Sequence, residues 1–193
     1  GDEISKDKQR ETYRIFLVGG STVFGAGSSS DNNTIPGILQ ELLDNERSDY
    51  KFEVINAGIP GANSVREEYY IKKYLLEFNP DMIIVYDGLN DAANAIINKN
   101  DLGKPGNNEL EKSQKGIDNI ISKYFQWYRT PFILNYIIFE STTSISYNDN
   151  TILKMKDNWH NRWMEMCELG NSKNIKIIIT LQPMLGTGNK TLY

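Results

Sequence analysis

Three short blocks in this chain place chemically useful residues just after apolar runs. They are Gly19-Gly20-Ser21 after Arg14 to Val18, Asn56-Ala57-Gly58-Ile59-Pro60-Gly61 after Phe52 to Ile55, and Gly88-Leu89-Asn90-Asp91 after Met82 to Tyr86. Ser21 offers a nucleophilic oxygen. Gly61 has no side chain, so its backbone N–H can come close to a bound group. Asn90 carries a side-chain amide that can donate. A nucleophile with two convergent donors, joined by the Ser21 N–H, is what acyl transfer requires: an attacking oxygen and a pocket for the oxyanion it creates.

Each residue alone has a plainer reading. Ser21 can cap a helix, Gly61 can satisfy a turn after Pro60, and Asn90-Asp91 can open a helix. The functional reading rests on all three occurring in order at successive strand ends. Competing motifs fail on spacing. Gly20-Ser21-Thr22-Val23-Phe24-Gly25 starts like a phosphate loop, but Ala26-Gly27 follows in place of Lys-Ser/Thr. No Gly-x-Gly-x-x-Gly is present at these strand ends, and Gly19 to Val23 does not match the Gly-x-Ser-x-Gly elbow.

The elements that must position these residues follow from hydrophobic pattern. Tyr13 to Val18 is an apolar run ended by two glycines, a buried-strand signal. Residues 34–47 carry Ile35, Ile38, Leu39, Leu42 and Leu43 at helical spacing, with Pro36 in the first turn. Residues 52–56 form the second strand. Ser64 reads as an N-cap with Glu67 completing a capping box, and the helix it opens ends near Asn79-Pro80. Residues 81–87 are the third strand, 151–170 a helix, and 175–182 a fourth strand closed by Pro183. Alternating strands and helices with near-continuous apolar strands predict an α/β domain, a parallel sheet covered on both faces. In such sheets ligands bind beyond the carboxyl ends of the strands, where all three blocks lie.

The domain is expected over 13–193, after a polar lead-in at 1–12 and with an insertion at about 95–150. That insertion holds a polar loop at 98–109 and the aromatic tract Tyr124-Phe125-Gln126-Trp127-Tyr128. Packing of this tract on the domain is the favoured expectation; a lid or acyl-chain wall is the alternative.

At 193 residues the chain has room for one substantial core. The net charge of −4 and the absence of a basic tract argue against nucleic acid as a partner. A single cysteine, Cys167, leaves no internal disulfide and reads as a small apolar residue in a helix. No run of about 18 apolar residues is present. The chain begins at Gly1 rather than Met, so a signal or anchor upstream stays open, as does the location.

On these blocks the chain resembles the SGNH hydrolases, the GDSL-type esterases and lipases, best over residues 13–95. Gly20-Ser21 resembles the first block, with Gly20 where the family usually has aspartate. Residues 56–61 resemble the second and 88–91 the third. The resemblance implies a three-layer α/β/α, flavodoxin-like fold with strand order 2-1-3-4. It implies Ser21 as nucleophile, with Gly61 and Asn90 in the oxyanion hole. It further implies ester hydrolysis of a lipid, acetylated sugar or small ester, with no metal or organic cofactor. O-acyl transfer on the same fold, or a binding domain lacking the base, are the alternatives.

The family's last block, Asp-x-x-His, supplies the general base after a fifth strand. The sole histidine here is His160, within Asp157-Asn158-Trp159-His160, ahead of the fourth strand and inside a helical stretch. It reads as a helix-surface or partly buried residue, and as the base only in a substituted site. The expectation is that a fifth strand and the catalytic histidine lie beyond Tyr193.

Overall fold

The computed structural model describes residues 4–97 and 149–182. The aromatic tract, most of the expected insertion and the segment after Gln182 lie outside the described residues. Four strands, β1 (Thr12–Gly19), β2 (Lys51–Gly58), β3 (Met82–Asp87) and β4 (Lys176–Leu181), form one sheet in the order β2-β1-β3-β4. Every pairing is parallel. The helices are α1 (Ser21–Phe24), α2 (Ile35–Asp44), α3 (Ser64–Lys73), α4 (Leu89–Ile97) and α5 (Asp149–Ser172), with single 3₁₀ turns at Asp31–Asn33 and Leu75–Phe78. This is the α/β architecture that the sequence pattern predicts, in the strand order that the resemblance implies.

β1 is central, and residues Arg14 to Gly19 are all buried, which is why its pattern is continuous rather than alternating. Its side chains still divide between faces. Phe16 and Val18 join Ile55, Ala57, Ile83 and Val85 in a core closed by Ile71 of α3 and by Trp163 and Met166 of α5. Helices α1 and α2 pack against β2 outside that cluster. Fully burying a side chain such as Ile71 or Met166 contributes roughly 1.5–3 kcal/mol each.

Edge strand β2 is finished by a side chain. The Gln40 amide accepts from the Val54 N–H at 2.7 Å and donates to the Phe52 carbonyl at 3.2 Å, imitating one link of a missing strand. At the same end of the sheet, buried Arg14 donates from Nε to Glu53 and from a terminal nitrogen to the Phe78 carbonyl, both at 2.6 Å. Its own backbone N–H donates to Asp81. One guanidinium therefore joins β1 to β2 and to the turn that leads into β3.

The helix after β2 departs from expectation. Asn63, not Ser64, is the N-cap: its side chain accepts from the Arg66 N–H, and Ser64 is already helical. Glu67 forms no capping box, because its side chain is buried in the interior instead of reaching back. The helix also stops at Lys73 and passes through the 3₁₀ turn to Asn79, whose φ of 49° ends it ahead of Pro80. Among the described residues no helix is long and apolar enough to cross a membrane.

Candidate active site

Ser21 follows β1 by two residues and is the first residue of α1, with Gly20 as the N-cap. The short helix closes by Gly25, at φ 96°, whose N–H returns to the Ser21 carbonyl. Gly19 must be glycine on grounds of space. A Cβ there would lie 2.4 Å from a Val23 methyl and 2.6 Å from the Tyr86 carbonyl oxygen of β3.

The second block leaves β2 and is tied directly to the first, since the Ile59 N–H donates to the Gly19 carbonyl at 2.8 Å. Residues Ile59-Pro60-Gly61-Ala62 then turn, with the Ala62 N–H on the Ile59 carbonyl at 2.9 Å and Gly61 at φ 73°. Pro followed by a positive-φ Gly is the pattern of a type II turn. Gly61 thus has a conformational reason to be glycine that is independent of any chemistry.

The third block caps the end of β3. Gly88, at φ 109°, accepts from the Ala92 N–H and so opens α4, which places Asn90 in the first turn. The Asn90 side-chain amide donates to the Ala62 carbonyl at 2.5 Å, bridging the third block to the second. Next to it, Asp91 receives both the N–H and the Oγ–H of Ser64, at 2.8 and 2.6 Å. This buried pair of hydrogen bonds clamps the start of α3 to the start of α4.

All three blocks meet around Gly20. A side chain built there would begin 2.6 Å from the Asn90 amide nitrogen and 3.6 Å from the Ala62 carbonyl oxygen. Ser21, Gly61 and Asn90 are each half-buried, so the cluster is ordered yet reachable from solvent. From β4, the Gln182 N–H donates to the Asp87 carbonyl at 2.8 Å. Its amide also donates to the Thr22 hydroxyl at 3.0 Å, joining the fourth strand to the Ser21 turn.

His160 stands apart. It is exposed on α5, while its neighbour Trp159 turns inward and donates its indole N–H to Asp87 at 2.9 Å. Cys167 is half-buried on the same helix, and burial raises its thiol pKa. Among the described residues no group of His, Cys, Asp and Glu side chains could hold a metal ion.

Beneath the blocks lies a feature the sequence reading missed. Asp87, Asp91 and Glu67 are all buried and interact electrostatically. Burial, and then the charge of Asp91, push Asp87 up to about 7, against opposing hydrogen bonds from the Gly88 backbone and the Trp159 indole. Burial, and then Asp87 and Asp91, hold Glu67 well above the usual carboxylate range. The signal was present as Asp91 inside the third block and as Glu67 three residues after Ser64. A helical acid looks solvated or capping until the packing of α3 is known.

The model of the GDSL-like lipase/acylhydrolase family matches residues 15–164, most of the chain. The chain belongs to this family. No curated protein sequence matches it. Similar solved structures include a GDSL-like lipase from Bacteroides thetaiotaomicron, at 15% identity and TM-score 0.43, covering 91% of this chain and 51% of that one. AlinE4, an SGNH-hydrolase family esterase, gives 17% identity and TM-score 0.42, covering 89% of this chain and 77% of that one. A two-domain esterase active on acetylated mannans gives 28% identity and TM-score 0.39, over 41% of this chain and 21% of that one. The chain spans about half the length of the Bacteroides lipase. In this family member the three blocks occupy the carboxyl ends of β1, β2 and β3, beside the β1/β3 boundary where strand order reverses.

Proposed function

We propose that this GDSL-like family member cleaves acyl esters through an acyl-serine intermediate on Ser21. The observation that carries the reading is the meeting of all three blocks around Gly20, which puts the Asn90 amide against the residue preceding Ser21.

In this mechanism the Ser21 Oγ attacks the acyl carbonyl carbon and gives its proton to a histidine base. The carbonyl oxygen becomes an oxyanion, held by the N–H groups of Ser21 and Gly61 and by the Asn90 side chain. The ester C–O bond then breaks, and the alcohol leaves with the proton. Water, deprotonated by the same base, attacks the acyl-serine and frees the acid and Ser21. Asn90 has two amide hydrogens, so one can hold the Ala62 carbonyl while the other faces the oxyanion. Substrates are acyl esters of a lipid, an acetylated sugar or a small alcohol. No nucleic acid and no metal or organic cofactor takes part.

The test is hydrolysis of p-nitrophenyl acetate by the chain, beside Ser21→Ala and His160→Ala. Turnover that falls to background in Ser21→Ala supports the reading, and turnover that survives there sinks it. Full turnover in His160→Ala would mean that the base is not a histidine of this sequence, whose sole histidine is His160, and no turnover in wild type would mean that these residues lack the base. A parallel loss places the base on α5.

A further inference from the structure

Glu67 is fully buried on α3, and neither of its carboxyl oxygens has a hydrogen-bond partner among the described residues. An unpaired carboxylate in such a place is strongly disfavoured. Its surroundings make ionisation harder still. Asp87 at the end of β3 and Asp91 at the start of α4 both act on it electrostatically. From helix α5, the Trp159 indole N–H donates to Asp87, and the Trp163 nitrogen is buried without a hydrogen-bond partner among the described residues. The nearby cation on that helix, Arg162, pairs with Glu68, which also receives Lys72.

We propose that Glu67 is a positioning residue, whose carboxyl stays uncharged and thereby keeps the Ser64–Asp91 clamp closed. Asp91 holds Ser64 by two bonds, and Ser64 begins the helix that follows the Gly61 turn. A charge on Glu67, one turn along the same helix, would repel Asp91 and strain that clamp. The Gly61 turn and Asn90 would then lose their fixed spacing. This deepens the oxyanion-hole reading of Gly61 and Asn90 and rests on it for its effect on turnover.

The sign of the pH dependence follows. Glu67 is held above the usual range and Asp87 sits at about 7, so the folded chain keeps protons that the unfolded chain releases from roughly pH 4 upward. Stability is full below that window and declines as pH rises through it. Glu67→Gln preserves the shape of the neutral acid and cannot ionise.

The experiment is the Tm of the full chain between about pH 5 and about pH 8, beside Glu67→Gln and Glu67→Ala, with infrared spectra of the carboxyl region. The expected result has three parts. Glu67→Gln cuts the decline in Tm across that range by about half. Glu67→Ala lowers Tm at every pH, and the glutamine restores it. The protonated-carboxyl carbonyl band weakens in Glu67→Gln at neutral pH. An unchanged Tm slope with an unchanged band overturns the proposal. Should Glu67→Gln not fold, the wild-type infrared spectrum decides: a protonated-carboxyl band that persists at about pH 8, above the value near 7 of Asp87, supports the proposal, and its absence there overturns it. The kcat for p-nitrophenyl acetate should hold to higher pH in Glu67→Gln than in wild type. Wild type without any turnover counts against the Ser21 reading alone, since the Tm slope and the infrared band still decide on Glu67.

Discussion

Asn90 carries two duties at once. Its amide secures the Ala62 carbonyl and, on the proposed mechanism, one of the oxyanion's three donors. Removing a single oxyanion donor typically lowers turnover by about 10²–10³-fold. Asn90→Ala should therefore reduce kcat by about that factor with KM little changed, while losing about 1 kcal/mol of stability from the freed carbonyl. Steady-state kinetics and a urea titration separate the two effects. A kcat within a few-fold of wild type would remove Asn90 from the mechanism. Gly61 offers no comparable substitution: its φ of 73° already demands glycine, so any side chain there confounds strain with chemistry. The sequence alone could not separate these cases, because a glycine after proline reads the same whether it serves a turn or a ligand.

Among the elements, the strands were legible and the helix ends were not. β1 is a buried apolar stretch, β2 and β3 are partly buried apolar runs, and all three are bounded by glycine, asparagine or proline, a pattern with few alternative readings. The start of α3 was misread, since Ser64 and Glu67 fit a capping box by letter. The real partner of Ser64, Asp91, comes from 27 positions away, and the acids that act on buried Glu67 belong to other elements. His160 shows the same limit: four letters fit a block that the helix places on its exposed side. Close packing between elements also yields a test. A Cβ at Gly58 would lie 2.2 Å from the Phe24 backbone nitrogen and 2.7 Å from its Cα. Gly58→Ala should push α1 off β2, destabilise the chain by about 1–3 kcal/mol and slow turnover, because Ser21 rides on α1. A thermal melt and the ester assay check both; unchanged values would mean that α1 shifts freely without moving Ser21.

For the molecule as a whole, the ends of the sheet divide the work. The carboxyl ends collect the three blocks and the acid cluster, while the opposite end is held by Arg14, whose side chain is only 3% exposed. Arg14→Ala removes its bonds to Glu53 and Phe78 together, and breaking such a pair costs about 3 kcal/mol where one partner keeps some contact with water. Denaturant unfolding should show that loss, with the pH dependence of Tm retained, because the acid cluster lies at the other end. A cost below about 0.5 kcal/mol would mean that the pair contributes no more than a surface ion pair.

Gln40 has a consequence for how copies of the chain meet. A sheet edge recruits other strands through its unpaired backbone groups, and self-association in crowded or partly unfolded conditions begins there. By occupying the Val54 N–H and the Phe52 carbonyl, one glutamine closes one ladder link of the β2 margin to an incoming strand. Lateral growth into filaments through that margin would first have to evict a side chain that is anchored on its own helix. The amide thus withholds one ladder link from a docking strand, away from the chemistry proposed at the far ends of the strands.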